Sequence, residues 1–331
     1  MTYRYVPLLR AKAGEANALF NLTPAAKDRM FPVVHLPVTV PTTFSTKLGQ
    51  AWAGRRLALD GLFNFDANGS AIDMQTVFAA LMAAGVTVVP CVEYGAQVGY
   101  LNVAGGLANG AGSGLVVKTR LGHLGAVQGW LANAGFPPAQ VDLVVVAGHI
   151  ADFGDGVLDQ LVVHTLQNFP QPEIWRSITL AGSAAPKDAS ALGLGANMIP
   201  RLDWTLWQNT HAVVPFKLDY GDHAISHPDM TEPPGYVMGN ATVTVRYALD
   251  NHWLILKGRP VSGNTGVPMP AQYLGHAQTL VARPDFNGLV GCWGDDRIVQ
   301  IAAGAVSPGS RQTWVEIGVN RHLSLVADRL P

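Results

Sequence analysis

The run VDLVVVA at residues 141–147 decides the fold. It is a continuous β-branched stretch broken only by Asp142, the composition of a strand buried on both faces. Such strands belong to parallel sheets covered by helical crossovers, so the flanking chain should alternate strand and helix. Upstream, strands are expected at YVPLL (5–9), FPVVHL (31–36), RLALD (56–60), TVVPCV (87–92) and LVVK (115–118), and downstream at 174–180 and 214–218. Helical spacing fills the gaps at 15–22, 73–84 (stopped by Gly85), 124–134 (stopped by Gly135 and Pro137-Pro138), 156–168 and 200–210. Eight strands spaced by roughly 25 to 35 residues match an α/β fold of the (β/α)8 TIM-like barrel type. A doubly wound open sheet is the alternative, and no G-x-G-x-x-G follows the first strand to support it.

Past the eighth strand the period changes. Residues 241–247 and 253–257 alternate in period two around Leu249-Asp250-Asn251-His252, predicting a β-hairpin inserted near the C-terminal end, at about 241–259. A helix is expected over 270–282, and 314–330 reads as partly helical. The glycine-rich span 105–114 reads as a flexible connection. Residues 1–331 are taken as a single barrel domain with the hairpin as an elaboration.

Composition limits the function classes. The chain has 331 residues, 48% hydrophobic and 14% charged, and a formal net charge of −1, so no global field gathers nucleic acid or anionic membrane. Cys91 and Cys292 lie far apart in apolar or glycine-flanked settings, giving neither metal spacing nor a disulfide framework. No stretch reaches the ~18 apolar residues of a membrane span, and the expectation is a soluble, cytoplasmic protein.

In a barrel, chemistry gathers where strands end. The polar residues there are Lys12 and Glu15, His35, Asp60, Glu93, Lys118 with Arg120, His149 with Asp152, Ser183, and Asp219 with Tyr220. Glu93 and Asp60, or His149 and Asp152, are candidate acid–base pairs. The loop Asp219 to Asp229, with His223 and His227, offers carboxylate and imidazole ligands without the spacing of a metal motif. Capping and turn roles explain the same residues, so no metal site is assigned. Arg246, Lys257 and Arg259, carried by the hairpin, suit bidentate and point-charge recognition of phosphate or carboxylate. An ion-pair network with Asp219, Asp222 and Asp250 would leave the same pattern. No G-x-S-x-G elbow occurs.

Seven segments, read in order, resemble the beta family of proteins, named after the bacteriophage T4 beta protein. They are YVPLLRAKAGEANAL (5–19), WRSITLAGSAAP (175–186), IPRLDWTLW (199–207), LDYGDHAISHP (218–228), RYALDNHWLILKGR (246–259), CWGDD (292–296) and TWVEIGVNRHLSLV (313–326). The resemblance implies a single-domain barrel of phage or bacterial origin and names no reaction. It points to Lys12, Glu15, Ser183, Arg201, Asp219, Tyr220, His227, Arg246, Lys257, Arg259, Trp293, Asp295, Trp314, Asn320 and His322 as matching the family pattern. Arg321 stands where a second His before His322 would be expected, which weakens a metal or relay role for that pair.

Three functions compete. The first is binding of a small anionic ligand, phosphate-bearing, or of a nucleic-acid end at the C-terminal face of the barrel, by Lys12, Glu15, Arg201, Tyr220, His227, Arg246, Lys257, Arg259 and Asn320. The second is acid–base or metal-assisted hydrolysis of a nucleotide or phosphodiester, with Asp219, Glu93 and His322 as catalytic groups. The third is a non-catalytic interaction protein with a protein partner. The sequence names no cofactor and no membrane partner.

Overall fold

A computed structural model describes residues 3–152, 156–229, 231, 242–286 and 288–331, with the side chain of Asp152 excepted. Eight parallel strands close into a barrel in the order β1 (Tyr5–Arg10), β2 (Val33–His35), β3 (Arg56–Asp60), β4 (Thr87–Glu93), β5 (Leu115–Arg120), β6 (Val141–His149), β7 (Ser177–Ser183) and β9 (Asp219–Asp222). Tyr5 pairs with Tyr220 to shut the ring. The strand that decided the reading, β6, has most of its residues fully buried, because its two faces meet different cores. Val144 belongs to the barrel interior with Val6, Leu8, Val33, Ala58, Val89 and Val116. Leu143 and Val145 pack outward under the helices.

That alternation assigns every strand a phase. On β3, Ala58 and Asp60 point inward and Leu57 and Leu59 outward; on β5, Val116 and Lys118 point inward and Leu115 and Val117 outward. On β9, Gly221 takes the inward phase and Tyr220 the outward one. A Cβ on Gly221 would stand 2.9 Å from the Cβ of Ala181 and from the carbonyl oxygen of Val6. Only glycine lets β7 and β1 approach closely enough for β9 to join both.

Several elements differ from the sequence reading. The eighth barrel strand lies at Asp219–Asp222, not 214–218, since Pro215 lacks the N–H a ladder needs. The seventh lies at Ser177–Ser183, about three residues later than expected. The glycine-rich span 105–114 is not a free connection: it falls mostly within the helix Val98–Ala111, which buries Tyr100, Ala104 and Ala108 on one face and ends at Gly112. Packing of that face outweighs the poor helix propensity of its glycines, ~1 kcal/mol each. The C-terminal segment is helical throughout Arg311–Arg329, started by a Ser310–Thr313 capping box.

The hairpin forms from β10 (Thr244–Ala248) and β11 (His252–Lys257), while Ala241 of the expected strand lies outside the described residues. A third strand, β8 (Gly195–Pro200), extends it to the order β10-β11-β8. The sequence GANMIP hides β8, for it lacks alternation and lies exposed at the sheet edge. One face of this sheet, with Ala248, Trp253 and Ile255, joins the barrel core. The other, with Val245, Tyr247, Leu254 and Leu256, packs on the helices Met269–Val281, Trp293–Ala302 and Arg311–Arg329 around a second core. Among the described residues no helix is long and apolar enough to cross a membrane.

Candidate functional site

Inward-phase residues at the C-terminal ends of β2 to β6 converge on a cavity of about 740 Å³ at the barrel mouth. His35, Asp60, Glu93, Lys118 and His149 each come from a different strand, and His223 follows β9. Leu62, Phe63, Leu121, Leu158 and Leu161 supply an apolar wall. His227 and Asp229 line the rim, where the His227 ring lies 4.4 Å from that of His149.

Asp60 organises the floor. Its Oδ2 lies 2.6 Å from Lys118 Nζ and 3.1 Å from His35 Nδ1, while Oδ1 accepts from the Leu62 N–H at 3.0 Å. Burial would raise the Asp60 carboxyl, but the Lys118 charge and the hydrogen bonds from His35 and Lys118 outweigh it and hold the group well below the usual carboxylate range. Burial pulls on Lys118 in the opposite sense, and the Asp60 charge overrides it, so the side chain remains an ammonium. Glu93 Oε2 stands 3.7 Å from the same Nζ.

The histidines respond differently. Burial, reinforced by the Lys118 charge, lowers His35, so at neutral pH its Nδ1–H donates to Asp60. Burial, with His35 next in weight, pulls His223 down to about 3. The Nε2 atoms of both rings lie beneath the cavity lining with almost no accessible surface, and have no hydrogen-bond partner among the described residues. A buried polar atom left unpaired costs on the order of 1–3 kcal/mol, so two of them beside one cavity mark a place that a ligand's polar groups would complete.

A second polar cluster lies in the outward phase, sealed between the barrel, β11 and the helix Arg311–Arg329. Asp222 Oδ2 accepts from His322 Nε2 at 2.6 Å and from the Tyr220 hydroxyl at 2.8 Å. Its Oδ1 accepts from the Tyr5 hydroxyl at 2.5 Å and the Ala224 N–H at 2.9 Å. Arg201, wholly buried, stands 3.9 Å from the carboxylate and lies over the rings of Trp204 and Trp253. The Tyr220 oxygen also lies 2.6 Å from Asp203 Oδ2. One hydroxyl proton cannot serve two carboxylates, and burial raises the pKa of Asp203. Burial also lowers His322, whose ring stacks on Trp253. Arg201 is the guanidinium of this cluster, and Asp222, whose carboxyl is held low by His322 and Arg201, is the carboxylate it faces.

The residues singled out from the sequence distribute as follows. Glu93 and His227 lie at the mouth, whereas Arg201, Tyr220 and His322 lie in the sealed cluster. Asp219 begins β9 and so lies at the opposite, N-terminal end of the barrel, paired with Arg4 at 3.1 Å and Lys217 at 2.9 Å. The late start of β9 moves it there. Asp142 sits beside it, held by Arg56 and Arg176. Conservative packing of such an end serves stability.

None of the hairpin's basic groups lines the mouth cavity. Arg246 donates to the carbonyls of Ile225, Pro186 and Lys187, and Lys257 to those of Ser190 and Leu192. They pin the segments after β7 and β9 to the second sheet. Arg259 is exposed. Asn320 is buried and stitches helices together, donating to the Ala18 carbonyl and accepting from the Gly294 N–H. Arg321 pairs with buried Asp295 at 2.8 Å, which accounts for arginine at that position. Glu15 is buried in the first turn of the helix Ala13–Phe20 and Lys12 precedes it, and neither is among the residues lining the cavity. Among the described residues no group of three His, Cys, Asp or Glu is placed to hold a metal ion.

His35, Asp60, Lys118 and His223 form the floor; of these the sequence singles out only Asp60 for chemistry, as the acid–base partner of Glu93. The first three do stand at strand ends in the sequence, and inward phase is the signal that separates them from their neighbours.

A family model described as Beta protein matches residues 5–328. No curated protein matches the chain. Among solved structures it is similar to the tryptophan synthase A-subunit of the hyperthermophile Pyrococcus furiosus, with 12% identity, 68% of this chain and 90% of that chain covered, and a TM-score of 0.37. A mutant alpha-subunit from the same organism gives 13% identity, 68% and 89% coverage and the same score. The closed strand order, independent of that likeness, makes the fold a (β/α)8 barrel.

Proposed function

Since the chain belongs to the Beta protein family, whose description names no reaction, we propose its function from the mouth cavity: it binds a small anionic ligand, phosphate- or carboxylate-bearing, at the C-terminal face of the barrel. The observation that carries this reading is the floor itself, where Lys118 Nζ stands 2.6 Å from Asp60 beside two imidazoles, His35 and His223, whose Nε2 atoms have no partner among the described residues. Arg120, exposed on the rim two residues further along β5, supplies a guanidinium on the path to Lys118. Asp60 balances the Lys118 charge and Arg120 offsets that of Glu93, so ligand affinity comes from adding hydrogen bonds to groups already charged and fixed. The hairpin arginine and lysine enter this reading only as clamps that hold the rim.

Isothermal titration with inorganic phosphate, pyruvate and adenosine monophosphate tests it. At least one of the three should bind, and Arg120→Ala and Lys118→Met should each weaken that binding about tenfold or more, equivalent to ~1.4 kcal/mol. The reading fails if none of them binds, or if both variants bind as the unaltered protein does.

A further inference from the structure

We propose that the mouth catalyses proton transfer at a carbon adjacent to a carbonyl group, with His35 Nε2 as the base and the Lys118 ammonium as the group that holds the developing enolate oxygen. This rests on the anion-binding reading of the same cavity and adds a reaction to it. The geometry begins with Asp60, whose single oxygen Oδ2 receives both Lys118 Nζ and His35 Nδ1. A base and a cation anchored on one oxygen lie side by side in the cavity lining, where Nε2 has almost no accessible surface, so the His35 ring must shift to meet a bound molecule. The shared carboxylate also fixes their roles. Because Nδ1–H is committed to Asp60, the lone pair of His35 lies on Nε2, the atom without a partner among the described residues.

The step balances without a co-reactant. His35 Nε2 takes the proton from the carbon, the C–H electron pair becomes the new C=C bond, and the carbonyl π pair moves onto oxygen, where Lys118 Nζ–H donates to it. Asp60 then faces an imidazolium instead of an imidazole, which stabilises the intermediate. Return of the proton to the same carbon gives exchange with solvent hydrogen. In an α-hydroxy ketone or aldehyde, return to the neighbouring carbon gives an isomer, provided that the proton of the hydroxyl oxygen passes to the former carbonyl oxygen, which Lys118 Nζ can protonate as the hydroxyl gives its own proton back to the lysine.

The remaining lining fits such an intermediate. Leu62, Phe63, Leu121, Leu158 and Leu161 make one side of the cavity apolar, which limits water around an enolate. His223, the second ring with an unpartnered Nε2, is held neutral and can accept from a substrate hydroxyl. The substrate class is a short carbonyl compound with a carboxylate or phosphate tail, the tail directed to Arg120.

Proton NMR in deuterium oxide reads the activity directly, with pyruvate, 2-oxoglutarate and dihydroxyacetone phosphate as probes. The protein should speed loss of the carbon-bound proton of at least one probe well above the buffer rate. His35→Gln, which retains a donor for Asp60, should lower that rate about 100-fold, in the range of a lost general base. Lys118→Met should also lower it, and thermal unfolding followed alongside shows whether each variant is folded. With the unaltered protein, the rate should be flat above the ordinary imidazole value of 6.5 and fall only at a pH lower than that, where His35 takes up a proton. Binding by titration without exchange of any probe overturns the proposal and leaves the anion reading standing. Neither binding nor exchange removes both. Exchange that persists in folded His35→Gln also overturns it.

Discussion

Two clusters in this barrel use the same three kinds of group and come to opposite ends. At the mouth, Asp60 lies between His35 and Lys118; in the sealed layer, Asp222 lies between His322 and Arg201. Both carboxylates are buried and both histidines are pushed toward the neutral form by burial. What differs is strand phase. Inward residues at the C-terminal end of a strand reach the mouth, while outward ones reach the layer of helices and the second sheet. On one short stretch the two fates are adjacent: Asp222 belongs to the sealed cluster and His223 to the mouth. In the sealed cluster Tyr5, Tyr220 and the Ala224 N–H add donors to Asp222, and Trp253 covers His322, so that assembly is a strut.

The comparison breaks most directly through stability. Removing Arg201 leaves Asp222 as an uncompensated buried charge, so Arg201→Met should cost about 3–5 kcal/mol in urea unfolding. At the mouth, Glu93→Gln removes only a half-exposed contact and should cost less than ~1 kcal/mol. Equal losses would mean that phase does not divide the molecule as described.

Acid sharpens the same contrast. The unfolded chain takes up a proton on each histidine near pH 6.5, whereas folded His223 resists until about pH 3. Its contribution is therefore complete above pH 6.5 and is lost as pH falls below that value. Asp60 and Asp222, held low, contribute only to losses below their ordinary value of 3.8. Between pH 6 and 4, His223→Gln should flatten the dependence of unfolding free energy on pH by up to ~1.4 kcal/mol per unit. His322→Gln should flatten it in the same direction. If it leaves the slope unchanged, His322 is already an imidazolium on Asp222, and the sealed cluster is a charged triad.

Much of the barrel was legible because parallel strands buried on both faces announce themselves as β-branched runs, as 141–147 and 115–118 do. The eighth strand was misplaced because DYGD has no apolar run: its register is fixed by Gly221 against Ala181 and by a Tyr–Asp cluster, both tertiary facts. That error carried Asp219 to the wrong end of the barrel. His35, Asp60 and Lys118 could be read as strand ends, but choosing them over their neighbours requires knowing which phase faces in. The hairpin drew attention because its charge is conspicuous in a chain that is 14% charged. Conspicuous charge, here, ends on backbone carbonyls.

That last point yields the smallest differences. Arg246 satisfies carbonyls on two separate segments, after β7 and after β9, and the second of these continues into His227 and Asp229 at the rim. Lys187, to whose carbonyl it also donates, reaches Asp229 through its side chain. Arg246→Ala leaves those carbonyls without their donor and should cost about 1–3 kcal/mol. Its effect on anion affinity should appear as a faster off-rate from a loosened rim, with Lys118 and Arg120 untouched. Arg259, exposed one turn further on, should alter stability by less than ~0.5 kcal/mol when replaced by Ala, and leave phosphate, pyruvate or nucleotide binding unchanged. Should Arg259→Ala instead weaken binding as strongly as Arg120→Ala, the anion is held on the hairpin, and the mouth is not where this protein meets its ligand.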